Sequence, residues 1–582
     1  MKERIFRGLL PVLIFTLNVT YSFAQTKNIF VSAEGSDSNS GLSLSQPLKS
    51  INAAIDLASA EDTIYILRGT YKEIIRFHNK NGLPDKSICL CGYSNKAESY
   101  PVIDGGLSKP SADAENDWMH INNSSWISVS RLKFVNGWTF PIKVKNSSYL
   151  TFEKCFFFGG KRVINAGGLR THHILVENCF WDQGGNFLWT VEKDSAGVDA
   201  WLSMHHMSMS YFNGSLIDFS GTGGSIVIRG NKIIDAFQAV RFRGVKGCDS
   251  NIEIYDNYVS NMRDNDFEPE YYTYNLHIYH NFSHNVHRTL SIDNVKGGEI
   301  FYYGNVITTD NDEWTKKICV SFWKVYGKER QRNFPVYAFN NSFYCVGNAF
   351  KTEQELRDFK HYNNAYFFSD DKGWILNSWY PSDDFDYDCT NKPWPVNIIR
   401  NKLEMHGKIC DVKYVDPDKR DLRLQAGSPA IDAGKIMSFK EFDWTQSYEG
   451  KAPDVGAYEN DKLVEGPPFR FMTLTDSKIE YKEKPRIVRY YLDRNKLTIY
   501  FSDQINKLSV MKEDINVFSE NEKVPVISVS FPRNNYEMII ETGARLSEED
   551  ISLSFNKMPK GINGENATYW ASTIKIHESN SN

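Results

Sequence analysis

Six asparagines, Asn231, Asn257, Asn281, Asn305, Asn341 and Asn364, recur at intervals of 26, 24, 24, 36 and 23 residues. A period in this range marks stacked units, each too small to bury its own apolar face and stable only against its neighbours. Short alternating runs precede the asparagines, among them Ser225–Arg229, Asn251–Tyr255, Tyr274–Ile278 and Val336–Phe339. Alternation places every second side chain on one face of a strand. Inward amides at a bend between parallel strands can bond one another up the stack, so the asparagines are expected to be structural. Cys155 and Cys179, 24 residues apart in similar contexts, take the same rung position and are expected to be buried thiols in the ladder.

The 582 residues exceed one ordinary core, which fits a long solenoid with an added domain. The 37 Phe, 31 Tyr and 13 Trp suit strands, and the formal charge of −5 gives no basic face for nucleic acid. Lys2, Arg4 and Arg7, the apolar run 9–17 and Ser22-Phe23-Ala24 read as a signal peptide over 1–24. An exported protein, secreted or periplasmic, is expected, with no membrane span and acting as a monomer. The Cys89-x-Cys91 pair has no second pair at zinc spacing, so no metal is assigned to it.

After the signal peptide come the strand 29–31, the polar turn Gly35-Ser36-Asp37-Ser38-Asn39-Ser40-Gly41, a helical period over Pro47–Ala60, the strand 63–67 and Arg68-Gly69-Thr70-Tyr71. This run resembles the N-terminal cap and first rung of secreted, pectate-lyase-like, carbohydrate-active proteins. The motifs Ala426–Gly434 and Asp454–Glu459 resemble the C-terminal end of the same family. The resemblance implies an all-β fold, a right-handed parallel β-helix over 25–462. Strands predicted beyond the Gly466-Pro467-Pro468 linker suggest an immunoglobulin-like sandwich over 463–582.

The resemblance leaves the reaction open, because this scaffold hosts hydrolases, lyases, epimerases and binders. The distinctive feature is Asp264-Asn265-Asp266-Phe267-Glu268-Pro269-Glu270, four carboxylates and a phenylalanine within one rung. Aligning three rungs on their asparagines pairs Val240, Phe267 and Leu290 as inward residues. Arg241, Glu268 and Ser291 then share one outward column, and Arg243, Glu270 and Asp293 the next. Rungs about 4.8 Å apart and alternate residues about 7 Å apart bring these carboxylates near the separations used in glycoside hydrolysis.

The leading expectation is a glycoside hydrolase acting on a polysaccharide or oligosaccharide, with Glu268, Glu270 and Asp266 as acid, base or nucleophile and Asp293 in support. Arg241, Arg243, Arg288, Lys324, Trp323, Trp201 and His205 are the candidate substrate-binding residues, the last three lying in or beside long insertions suited to sugar stacking. A hydrolase needs no cofactor. The first alternative is a polysaccharide lyase, with a Lys, Arg or His base and the acidic motif holding Ca²⁺. The second is a non-catalytic glycan-binding surface protein.

Overall fold

A computed structural model describes residues 26–578 except 85, 111–115, 320, 326–334, 346, 353–357, 370–372, 374–380, 471, 476–477, 482–485, 502–504, 521, 532–536, 547–550, 561–567 and 570–574. The segment read as a signal peptide lies outside these residues. Among the described residues no helix is long and apolar enough to cross a membrane.

Inward residues stack in register from rung to rung. On the first face Ile226, Ile252, Leu276, Ile300 and Val336 occupy one column, and Ile228, Ile254, Ile278, Tyr302 and Ala338 another. This face is a parallel sheet of thirteen strands from Asn28–Val31 to Asp384–Asp386. The other two faces are also parallel. They join where two strands, Tyr258–Tyr271 and Phe282–Ser291, run on from one face to the next. The protein is a right-handed parallel β-helix, and these two long strands are where its rungs depart from their neighbours. The helix expected over Pro47–Ala60 is shorter, Ile51–Leu57. Ser50 caps it by accepting from the Ala53 amide, and Ile51, Ala54 and Ile55 bury against the first rungs.

The asparagine ladder forms as expected. Each Oδ1 accepts from the backbone N–H and the Nδ2 of the preceding ladder residue, at 2.9–3.1 Å from Asn231 through Asn341. Cys179 begins it, its N–H donating to Asn231 Oδ1. Cys155 and Cys179 are buried free thiols. Asp388 ends it, accepting from Asn364 N and Nδ2. Because every member is buried, Asn281→Ala strands the Asn257 backbone N–H, while Asn257 Nδ2 keeps Ile228 O and Tyr255 O, and a loss of about 1–3 kcal/mol is expected in urea unfolding. Asn281→Asp, which keeps the acceptor, is expected to lose less. Equal losses would contradict the hydrogen-bonded role.

The rungs end earlier than the sequence motifs implied. The last strand of the stack is Lys408–Ile409. Residues from Val412 to Leu463 form three antiparallel hairpins laid along the outside. Tyr414, Leu422, Ala430, Val455 and Ala457 cover Val306, Ala365 and Cys389, while Met437, Phe439 and Phe442 cover the stacked rings of Tyr279, Phe301, Tyr303 and Phe339. The apolar motifs Ala426–Gly434 and Asp454–Glu459 are thus side cover, not rungs. Beyond them, a five-stranded and a four-stranded sheet share a separate core that includes Leu497, Ile499, Val517, Ile540 and Leu553, a small β-sandwich.

Candidate active site

The expected inward column, and the pairing of the two arginines with the two glutamates, are the observed register. Val240 pairs with Phe267 and Phe267 with Leu290; Arg241 pairs with Glu268 and Arg243 with Glu270. Leu290 then pairs with Trp323 and Ser291 with Lys324. Alternation sends Val240, Phe267, Leu290 and Trp323 into the core and leaves an outward column of Arg241, Glu268, Ser291 and Lys324.

Arg241 sits between the two glutamates. Its Nε lies 3.2 Å from Glu268 Oε2 and its Nη2 2.7 Å from Glu270 Oε2. Glu268 is 4% exposed and also accepts from Gln238 Nε2 at 2.5 Å and Asn265 Nδ2 at 3.1 Å. Burial pushes its carboxyl up to about 8, against the pull of Arg241; Glu270 and Asp264 add to the rise. Gln238 also donates to Asp264 Oδ2 at 3.2 Å, and Arg288 Nη1 lies 3.5 Å from Asp264 Oδ1. Asp293 faces Lys324, Nζ to Oδ2 3.6 Å, and burial raises its carboxyl while Lys324 opposes the rise.

Three expected placements are corrected. Asp266 is fully buried; its Oδ2 is 3.5 Å from Thr289 Oγ1, which bonds the core residue Tyr302. Simple alternation with inward Phe267 would send Asp266 outward, yet its contacts run to Thr289 and the core side. Burial holds its carboxyl well above the usual range, with only hydroxyl hydrogen bonds to oppose it. Trp323 is inward and fully buried, donating to Tyr366 Oη at 2.9 Å, so it cannot stack on a sugar. Arg243 shares a column with Glu270 but reaches back one rung, bonding Asp218 Oδ1 at 2.6 and 3.0 Å.

The insertions do meet beside this face. Asp199 caps the helix Ala200–His206 through the Leu202 N–H. On that helix the His205 ring stacks on Trp201 with centroids 4.8 Å apart, and Trp201 lies 5.9 Å from His287. Burial lowers the His205 pKa; the nearby Asp264 opposes this, whereas His206, Lys324 and Arg241 lower it further. The second insertion reaches the first, Trp314 Nε1 donating to Trp189 O at 2.9 Å, with the Arg263 guanidinium over the Trp314 ring. Gln238, Asp264 and Asp218 were absent from the sequence-level site. Asp264 had a signal, its place in the acidic run; the other two stand on neighbouring rungs without one.

Among the described residues no three carboxylates of the acidic run bring their oxygens within 4.8 Å of one another. Glu268 and Glu270 are bridged by Arg241, Asp264 faces Arg288, and Asp266 is turned away. Positive side chains occupy the space between the acids.

A stability consequence follows from Glu268. Its folded-state pKa lies above the unfolded value, so its contribution is full below about pH 4.5 and is lost as pH rises toward about 8. Glu268→Gln, an uncharged mimic of the acid, is expected to flatten the fall in unfolding free energy between pH 5 and 8. Denaturant titrations of both proteins across that range check this, and parallel profiles would contradict it.

No family model matches the chain. A pectate lyase of Emericella nidulans is 29% identical over 133 residues, which is 22% of this chain and 32% of that protein. The chain thus spans about a third of the curated relative it matches. Among solved structures, pectate lyase Pel9A overlaps 75% of this chain and 97% of its own, with 16% identity and a TM-score of 0.35. A family 6 polysaccharide lyase from Pseudopedobacter saltans overlaps 67% and 97%, with 13% identity and a TM-score of 0.41. What the chain itself displays is a pectate-lyase-like parallel β-helix with an acidic and basic patch on one face, roofed by two insertions.

Proposed function

We propose that this chain is an exported carbohydrate-active enzyme that cleaves an acidic polysaccharide by β-elimination. The observation that carries this reading is the Arg241 guanidinium lodged between Glu268 and Glu270. A hydrolase needs its two carboxyls on either side of the glycosidic bond, with sugar or water between them. Here a cation fills that interval. The patch is instead a set of cations steadied by buried acids, suited to receiving a negatively charged sugar. The sequence similarity to a pectate lyase points the same way.

In this reading the exposed edges of Arg241, Arg243 and Lys324 receive the uronate carboxylate and make its α-proton, on C5, more acidic. His205, kept neutral by burial and neighbouring cations, accepts that proton. The C5–H electron pair becomes the C4=C5 double bond, the C4–O bond breaks, and the departing oxygen takes a proton from the Lys324 ammonium. Trp201 supports the imidazole by stacking and is placed to meet a sugar face. The main competitor is a glycoside hydrolase, favoured by one observation: Glu268 is held protonated near neutral pH, as a general acid must be.

The test is incubation with acidic and neutral polysaccharides, with and without EGTA. The expected result is ultraviolet absorbance from an unsaturated uronate product on acidic substrates, unchanged by the chelator. Reducing ends without absorbance would overturn elimination. Loss of activity in EGTA would overturn neutralisation by arginine and lysine. Binding without any product would leave a glycan-binding protein.

A further inference from the structure

At the C-terminal end of the β-helix three ionisable side chains converge in the interior, away from the candidate active site. His361 stands in an inward column between Ala338 and Phe385. Asp388 is the residue that ends the asparagine ladder. Glu404 comes from the segment after the helix Val396–Arg400, whose Ile398 joins Trp394 and Leu403 in closing the core. His361 and Asp388 are fully buried and Glu404 is 6% exposed. One donor atom from each lies within 4.8 Å of the others.

The charges are not otherwise balanced. Among the described residues neither carboxylate pairs with a lysine or arginine; the one ion-pair partner is His361, with Nδ1 2.5 Å from Asp388 Oδ2. Asp388 Oδ1 is committed to the ladder, accepting from Asn364 N and Nδ2. Glu404 Oε2 accepts from the Asp388 N–H at 3.1 Å, and Glu404 Oε1 is buried with no hydrogen-bond partner. The imidazole is oriented from behind, with Nε2 2.9 Å from Tyr366 Oη, which in turn accepts from Trp323. A ring held by an outer hydroxyl, the Asp388 oxygen that faces it and a Glu404 oxygen without a donor form a set of ligands. Two buried carboxylates facing one imidazole are costly, and a divalent cation relieves that cost.

We propose that His361, Asp388 and Glu404 bind a structural divalent transition-metal ion, Zn²⁺ or Mn²⁺, that fastens the C-terminal cap to the last rungs. One imidazole nitrogen and two carboxylate oxygens suit these ions, whereas calcium prefers oxygen alone. The site is closed, so the metal loads as the chain folds and serves no reaction.

Elemental analysis of the purified full chain is the first test, and about one equivalent of Zn²⁺ or Mn²⁺ per chain is expected for a folding-coupled site. The second is refolding from denaturant with chelator, followed by thermal melting with added ZnSO4, MnCl2 or CaCl2. Zinc or manganese is expected to raise the melting temperature of the metal-free chain. Asp388→Asn keeps the ladder acceptor, since asparagine fills the equivalent place on earlier rungs, yet weakens the ligand set. It is expected to fold with little metal and a reduced response. Glu404→Gln is expected to behave alike. Metal-free wild-type protein whose melting is indifferent to zinc and manganese would overturn the proposal and leave a proton shared between the two acids. A response to calcium alone would overturn it as well.

Discussion

Replacing His205 by alanine is expected to lower kcat on an acidic polysaccharide by about 10²–10⁴-fold, the usual contribution of a positioned acid–base group. The melting temperature is expected to move little, because His205 lies on a short surface helix whose packing rests on Ala200 and Met204. Activity of the wild-type protein depends on the unprotonated imidazole. It is therefore expected to fall as pH drops through a value below the ordinary histidine range and to hold steady above it. The pH–rate profile of the wild-type and alanine proteins checks both statements. A variant with full kcat, or a wild-type rate that rises on acidification, would remove His205 from the reaction.

Arg241→Met is expected to cost both activity and stability. The methionine fills the volume but leaves Glu268 and Glu270 without the guanidinium they share, and once Glu268 ionises it is an uncompensated buried charge, costing about 3–5 kcal/mol. The sign with pH is fixed. Below about pH 8 Glu268 is protonated with or without Arg241, so it adds little pH dependence to the loss. The loss grows above that value, because the wild-type carboxyl ionises beside the guanidinium and the variant's does not. Adding Glu268→Gln to Arg241→Met removes the carboxyl that ionises above about pH 8 and is expected to restore part of the stability there while leaving the protein inactive. Urea unfolding at about pH 7 and about pH 9.5 for the wild-type protein and the two variants measures this coupling. A loss independent of pH would mean that Arg241 contributes by packing alone.

The sequence was informative where a repeat constrained it. The asparagine spacing announced stacked rungs, and aligning on it paired Val240, Phe267 and Leu290 correctly, because alternation allows an inward residue only one neighbour per rung. The direction of long side chains was not legible. Arg241 spans to two glutamates and Arg243 reaches back to Asp218, since a guanidinium can bridge to either adjacent rung at similar cost. Asp266 was misplaced because alternation with inward Phe267 put it on the outer face, whereas its carboxyl turns to Thr289, beside Tyr302. Trp323 was read as part of a surface insertion, whereas the insertion ends before it and the residue resumes the inward column. Asp388 could have been found: it stands 24 residues after Asn364, where the ladder calls for another asparagine. Its partners His361 and Glu404 had no such signal, since they come from an apolar column and a capping segment.

The most direct measurement is the mass of the oligosaccharides released from an acidic polysaccharide. Elimination adds no water across the broken bond, so each new non-reducing end is expected to be one water lighter than a hydrolysis product, and to absorb in the ultraviolet. Fragments that carry the full mass of added water, without absorbance, would contradict the account and return Glu268 and Glu270 to the roles of a hydrolase pair.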